Sequence, residues 1–216
     1  MQIHRSEGDL LLSWLNKDGR KPLILRGARQ VGKSNLVRHL ANISQRTCLE
    51  LNFERNPEYA DFFKSNNLKT ILTYLRIHFK KTIDPKISLL FLDEIQATPK
   101  VIETLRYFYE EFPQLPIISA ELLLDFVLAE PEFSIPVGRI EYFHLGPLSF
   151  EDFLGARGET ALLQWIQSFS IKEIVPASIH QQCLELIKEY WLIGGMPEVV
   201  AHYADHHDFQ EINSIK

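Results

Sequence analysis

Gly27–Ser34 is the segment with the clearest chemical pattern in the chain. It reads GARQVGKS, which matches the spacing of a phosphate-binding loop, G-x-x-x-x-G-K-[ST]. The apolar run Leu23–Leu25 precedes it, and an amphipathic helical pattern follows it. We therefore predict that the residues of this loop and of the turn after it bind the phosphates of a nucleoside triphosphate: Gly27, Ala28, Arg29, Gln30, Val31, Gly32, Lys33, Ser34 and Asn35.

Each part of this loop has its own task at the phosphates. Glycines let the backbone approach a ligand closely, and successive N–H groups at the start of a helix form a nest that binds anions. Lys33 is predicted to act catalytically on the β- and γ-phosphates, and the Ser34 hydroxyl is predicted to bind Mg²⁺. The alternative is a glycine-rich turn with a chance lysine, which the flanking strand and helix patterns disfavour.

Ser88–Gln96, with the sequence SLLFLDEIQ, supplies a second element that such a site needs. Its apolar run Leu89–Leu92 is typical of a strand buried on both faces of a parallel sheet. Two acids follow at the carboxyl end, where open α/β sheets bind their ligands. Asp93 is predicted to hold Mg²⁺, and Glu94 to orient and deprotonate an attacking water. The alternative is an acidic strand end that caps the next helix.

Strand-like and helical segments alternate up to Leu145. This order predicts an α/β fold, the parallel sheet flanked by helices of P-loop NTPases, with all strand carboxyl ends beside the phosphate loop. A boundary is predicted near Gly146 and Pro147, because strand patterns cease there and helical patterns continue. Residues 1–146 are predicted to be the core, and residues 147–216 a small helical lid. The remaining predicted strands are Pro22–Arg26, Thr47–Asn52 and Leu115–Ala120, and Glu121–Leu128 is predicted to be helical.

Composition and charge limit the class of protein. The 216 residues have a net charge of -5, with 19 basic and 17 acidic side chains in residues 1–140 but 4 and 11 in residues 141–216. This distribution disfavours nucleic acid as a partner. No apolar run reaches the ~20 residues of a membrane-spanning helix. The N-terminus does not resemble a signal peptide, and Cys48 and Cys183 are too far apart to suggest a disulfide framework, so we predict a cytoplasmic location.

Five segments, in order, resemble one known family. They are RKPLILRGARQVGKS, LLFLDEIQ, LRYFYEEFPQLPIISA, IPVGRIEYFHLGPLSFEDFL and YWLIGGMPEVV. Together they resemble the archaeal and bacterial AAA-type ATPases that are related to the STAND class. The resemblance implies a P-loop core with a helical lid, binding of ATP and Mg²⁺, ATP hydrolysis, and possible association with itself or with a protein partner. It also implies a further C-terminal domain, which we expect this chain to lack because it stops at Lys216.

Two more residues gain a role from the resemblance. It implies that Arg139 acts on the γ-phosphate, either in its own chain or from a neighbouring subunit; the alternative is a surface ion pair flanking a strand. It also implies that Pro197, in GGMPE, packs near the adenine. The alternative for this segment is a helix cap, with glycine after one helix and proline at the start of the next.

The segment after the predicted strand Leu115–Ala120 departs from the family pattern. The family usually has Gly-Ser at this point, where the serine contacts the attacking water or the γ-phosphate, whereas this chain has Glu121 and Leu122. A leucine cannot make that hydrogen bond; Ser119 or Asp125 would have to compensate. The alternatives to an active ATPase are therefore a nucleotide-binding switch and a truncated remnant, both with little hydrolysis.

Overall fold

The computed structural model describes residues 3–122, 138–170, 172 and 174–206. Within these residues the backbone contacts define two compact units. The larger unit is Gly8–Leu145, and the smaller one combines the residues up to Glu7 with those from Gly146 onward. The sequence-based division assigns residues 1–7 to the core, whereas Ile3 packs against the apolar cluster of the smaller unit.

The larger unit contains a parallel sheet, which confirms the predicted fold class. Its described part has five strands in the order β2-β3-β4-β1-β5, and every paired neighbour runs parallel. The strands are β1 (Leu23–Arg26), β2 (Thr47–Asn52), β3 (Ser88–Asp93), β4 (Ile117–Glu121) and β5 (Glu141–His144).

Helices connect these strands and cover the sheet. They are α1 (Ser6–Leu15), α2 (Lys33–Ile43), α3 (Leu68–Phe79) and α4 (Pro99–Glu111), with two short 3₁₀ segments, Pro57–Phe63 and Ile95–Ala97. All six residues of β3 are buried, which explains the continuous apolar run in the sequence: helices protect both faces of a parallel sheet from water. Apolar side chains of α3 and α4 form one cluster with β2, β3 and β4.

One predicted helix begins too early. Glu121 was expected to start a helix, but it is the last residue of β4 and pairs with Arg26 in the parallel register of β1. The strand therefore continues one residue past its apolar run. The side chains of Glu121 and Arg26 also form an ion pair, which stabilises this last position of the register. The rest of that predicted helix, including Asp125, lies outside the described residues.

The smaller unit is helical where it is described. Ser149 caps the first of its helices through a capping box with Asp152, and the Tyr190 hydroxyl donates a hydrogen bond to the Leu148 carbonyl at 2.7 Å. None of the described helices in the chain is long and apolar enough to cross a membrane. The helices described in this unit are α5 (Phe150–Ala156), α6 (Thr160–Ser168), α7 (Ala177–Ile193) and α8 (Pro197–His206).

Gly27 provides a direct test of the packing at the end of β1. A Cβ at this position would overlap the backbone carbonyl oxygen of Leu145, which cannot move as a flexible side chain would. We expect Gly27→Ala to lower the free energy of unfolding by about 1–3 kcal/mol, measured by chemical denaturation. Gly146→Ala is the matched control, because its new Cβ has nothing within 4 Å, and it should change stability by no more than about 0.5 kcal/mol. Equal effects of the two substitutions would refute this account of the packing.

Candidate functional site

The predicted phosphate loop leaves β1 after Arg26 and enters α2 at Lys33. Gly32 is the N-cap of α2 and has φ 89°, a left-handed conformation that glycine adopts without strain. Gln30, two residues earlier, is also left-handed, with φ 64°. Ala28, Arg29 and Gln30 are exposed at the tip of the loop. The N-terminus of α2, with its free N–H groups and positive end of the helix dipole, therefore lies at the carboxyl edge of the sheet.

Lys33 is held inside this loop. Its side chain is only 6% exposed, and its Nζ donates hydrogen bonds to the carbonyl oxygens of Gly27 at 2.8 Å and Ala28 at 2.9 Å. Burial lowers the pKa of Lys33, against the nearby carboxylates of Glu94, Asp93 and Glu121, which act to raise it. An ammonium group has three N–H donors, so one remains for a ligand while two fix the position of the charge.

Ser34 and Asp93 meet at this edge of the sheet. The Ser34 Oγ donates to Asp93 Oδ2 at 3.0 Å, and the Asn52 amide donates to the same oxygen at 3.1 Å. Asp93 is 4% exposed, and its Oδ1 is buried without a hydrogen-bond partner among the described residues. Hydroxyl and carboxylate oxygens are the donors that Mg²⁺ prefers. The buried Oδ1 of Asp93, which has no hydrogen-bond partner among the described residues, therefore fits the predicted magnesium site.

Burial also sets the protonation of Asp93. Loss of water raises the pKa of Asp93 above its ordinary value, the hydrogen bond from Ser34 opposes this, and the charge of Glu94 adds to it. Asn52, which belongs to none of the sequence motifs, gives a second opposing hydrogen bond. The sequence contains one indication of this role: Asn52 is the last residue of a predicted strand, and Asp93 follows the apolar run of another. The structure places the two residues directly opposite each other in the β2–β3 register.

Glu94 follows Asp93 in a left-handed conformation, with φ 57°. This turn directs the chain out of β3 and into the short helix that contains Gln96. The Gln96 amide donates to Glu94 Oε2 at 2.5 Å, and its carbonyl oxygen accepts a hydrogen bond from the Leu122 N–H at 3.4 Å. Gln96 thus connects the carboxylate of Glu94 to the backbone that follows β4.

The carboxylate of Glu121 forms an ion pair with Arg26. It is fully buried, and its Oε1 lies 2.6 Å from the Arg26 Nε, while the Arg26 guanidinium lies 4.0 Å from the ring centre of Tyr142. The negative charge of this carboxylate, near the predicted phosphate loop, is therefore neutralised within the sheet. The hydroxyl of Ser119 is buried inside β4 and has no hydrogen-bond partner in the described part of the chain.

The remaining predicted site residues are more scattered. Val31 is buried and Asn35 is exposed on the first turn of α2. Arg139 lies two residues before β5, at the amino edge of the sheet, because β5 runs parallel to β1. There its side chain, which is 45% exposed, forms an ion pair with Glu110 at 3.2 Å. Pro197 begins α8 in the smaller unit, so its predicted contact with adenine stays a prediction.

Comparison with known proteins supplies a family and a fold. The family model described as "AAA domain" matches residues 19–154. A search of curated protein sequences finds no match. Among solved structures, C. elegans PCH-2 matches with a TM-score of 0.52 at 12% sequence identity, over 93% of this chain and 62% of the other. At this identity the similarity concerns the fold alone, and the chain spans 62% of the length of that structure.

The raised pKa of Asp93 predicts a specific dependence of stability on pH. A carboxyl whose pKa is higher in the folded state favours folding when protonated, and this contribution is lost as the pH rises through the folded-state pKa. Asp93→Asn keeps the shape and cannot ionise. We expect its melting temperature to rise relative to that of the unmodified protein as the pH increases above about 4, because the ordinary pKa of aspartate is about 3.9.

Calorimetry at a series of pH values measures this difference, in which the titration of groups that do not interact with Asp93 cancels. Asp61→Asn is the matched control, because Asp61 is exposed and pairs with Lys64 on the surface. A melting-temperature difference between Asp93→Asn and the unmodified protein that is constant with pH would contradict the effect of burial.

Proposed function

The chain belongs to the AAA domain family and so contains a nucleotide-binding, ATPase-type core, and we propose that it binds ATP with Mg²⁺ and hydrolyses it. The observation that carries the proposal is the geometry at the carboxyl edge of the sheet. There a buried lysine lies within a phosphate-binding loop, and the serine that follows it donates a hydrogen bond to a buried aspartate on β3. The three groups match the chemistry that a triphosphate and its metal ion require.

Binding of the triphosphate depends on Lys33 and the loop backbone. The carbonyls of Gly27 and Ala28 hold the Lys33 ammonium in position before a ligand arrives, so little side-chain entropy remains to be lost on binding. The N–H groups at the start of α2 add donors directed by the helix dipole. Lys33 would contact the β- and γ-phosphates as a fixed charge.

Ser34 and Asp93 would hold the metal ion. Mg²⁺ supplies charge neutralisation at the β- and γ-phosphate oxygens when it is bound. The chain contributes the Ser34 hydroxyl and the buried Asp93 carboxylate, whose Oδ1 makes no hydrogen bond among the described residues. Asn52 fixes the other carboxylate oxygen through its amide. This arrangement orients Asp93 without occupying both of its oxygens.

Glu94 would accept the proton of the attacking water. It follows the metal-binding aspartate directly and carries a carboxylate that Gln96 holds by a hydrogen bond. A general base must lie within hydrogen-bond reach of the water that it deprotonates. Gln96 therefore acts as a positioning residue in this proposal, since its other end is bound to the backbone of Leu122.

The same hydrogen bonds favour one alternative function, a nucleotide-binding switch with little hydrolysis. Glu94 is engaged by Gln96, and Leu122 stands where the family has the serine that contacts the γ-phosphate. Glu121, where the family has glycine, is bound to Arg26. In that case the triphosphate would bind at Lys33 and persist, and the helical unit that carries Pro197 would act as a lid that reports nucleotide state to a protein partner.

Arg139 would act only on the nucleotide of a neighbouring chain. It lies at the amino edge of the sheet, the opposite end of β1 from the phosphate loop, so its own loop is out of reach. An arginine supplied in trans raises the rate of triphosphate hydrolysis by about 10³-fold or more. This role requires that the protein associate with itself.

Phosphate release from MgATP tests the main proposal. We expect Lys33→Ala to lose both nucleotide binding and turnover, because the fixed charge at the phosphates is removed. Glu94→Gln should retain binding, measured by calorimetry, and lose about 100-fold or more in rate, since an amide cannot accept the proton. Binding with no turnover in the unmodified protein would favour the switch. Nucleotide binding that is unchanged in Lys33→Ala would refute both functions.

Mixing two inactive variants tests the role of Arg139. Arg139→Ala lacks the arginine and Lys33→Ala lacks the phosphate-binding lysine, so a mixed assembly would contain sites with both groups intact. We expect the mixture to recover a substantial part of the activity, on the order of one quarter for a dimer that exchanges subunits freely. Arg106→Ala is the matched control, because Arg106 also pairs with Glu110, at 3.0 Å, and should remain active. A mixture no more active than its components would exclude action in trans.

A further inference from the structure

A cavity of about 580 Å³ lies at the amino edge of the sheet. Its walls come from the segments that lead into four neighbouring strands: Lys17–Arg20 before β1, Arg46 before β2, Asp84–Lys86 before β3 and Pro113–Gln114 before β4. The phosphate loop follows the other end of β1. Strands of four to six residues separate the two places, a distance of roughly 13–20 Å.

Basic side chains outnumber acidic ones around this cavity. The acids are Asp18 and Asp84, and the bases are Lys17, Arg20, Arg46 and Lys86. Lys17 has a partner of its own in Glu141, at 3.0 Å. Arg20 and Arg46 form no ion pair with any residue that the structure describes, although the charge of Asp84 lies near enough to Arg46 to favour its protonation.

Backbone carbonyls hold both guanidinium groups in place. Arg20 donates to the carbonyl of Leu15 at 3.2 Å and to that of Gln114, while its Nε is buried without a hydrogen-bond partner in the described part of the chain. Arg46 donates through one nitrogen to the carbonyls of Pro85 at 2.6 Å and Ser88 at 3.2 Å. A guanidinium has five N–H donors, so donors remain on both residues.

The two arginines also repel each other. Burial and the charge of Arg46 lower the pKa of Arg20, and burial lowers the pKa of Arg46. Partly desolvated cations that face one another are stabilised by an anion between them. Guanidinium groups bind phosphate and carboxylate oxygens through paired hydrogen bonds, and the cavity is large enough for a small organic molecule.

We propose that this cavity binds a small, multiply charged oxyanion, a phosphate or polycarboxylate compound, between Arg20 and Arg46, with Lys86 at the rim. The site is separate from the phosphate loop and uses side-chain charges, where the loop uses backbone N–H groups and one lysine. A ligand here would touch the segments that enter β1, β2, β3 and β4 at once.

Pyrophosphate is the first probe. It is titrated without Mg²⁺ into the full chain carrying Lys33→Ala, which weakens phosphate binding at the loop, while NMR follows the arginine Nε–Hε signals. The signals of Arg20 and Arg46 should shift together and saturate at a concentration on the order of 1 mM or below. The signal of Arg38 should not shift, because Glu50 holds that guanidinium by two hydrogen bonds of 2.7 and 2.8 Å.

Three substitutions identify the groups that bind. Arg46→Gln should weaken pyrophosphate binding by about 10-fold or more. Because Arg46 also binds backbone carbonyls, Lys86→Gln is the second variant: it removes a charge from an exposed rim residue whose side chain makes no hydrogen bond to the described residues. It should weaken binding by about threefold. Lys69→Gln, an exposed lysine on α3 outside the cavity, should leave the affinity unchanged. Melting temperatures verify that each variant is folded.

Citrate, titrated in the same way, separates the two ligand chemistries. Tighter binding of citrate than of pyrophosphate would identify a polycarboxylate ligand, and the reverse order a phosphate ligand; both results support the site. Unchanged Arg20 and Arg46 signals up to about 10 mM of both probes would overturn it, as would equal affinity in Lys86→Gln, Arg46→Gln and Lys69→Gln. Failure of ATP to bind at Lys33 would leave these results unaffected.

Discussion

The parallel arrangement of the five described strands is the constraint on which the rest of the structure depends. Because β1 and β3 run in the same direction, with β4 between them, the residues that follow each strand meet at one edge of the sheet. That placement allows Ser34, after β1, to donate a hydrogen bond to Asp93, at the end of β3. An antiparallel strand at either position would send one of these groups to the opposite edge. The chemistry of the site therefore follows from strand direction before it follows from any side chain.

Charged groups are buried at this edge, and each is stabilised differently. Lys33 is held by two carbonyls, Glu121 by Arg26, and Asp93 by a serine and an amide. Of these three groups, Glu121 is the one that forms an ion pair with a described residue. Burial shifts the pKa of Asp93 upward and that of Lys33 downward. Such groups are costly in an empty site and favourable beside a ligand of opposite charge. This cost agrees with the proposal that the site binds a phosphate and a cation.

The two edges of the sheet offer different groups to an anion. At the carboxyl edge, the start of α2 offers backbone N–H groups and the positive end of a helix dipole. At the amino edge, Arg20 binds the carbonyl of Leu15, the last residue of α1, and Arg46 binds the carbonyls of Pro85 and of Ser88, the first residue of β3. The proposed oxyanion site depends on the guanidinium donors that these carbonyls leave unused.

Local patterns in the sequence determined the fold class and predicted the phosphate loop. The spacing from Gly27 to Ser34 and the buried run before Asp93 depend on contacts between near neighbours, so one sequence suffices to recognise them. Contacts between distant segments were decided only by the tertiary structure: the hydrogen bond from Asn52 to Asp93, the ion pair of Glu121 with Arg26, and the ion pair of Arg139 with Glu110. These depend on strand order and register, which bring together residues that no local periodicity relates.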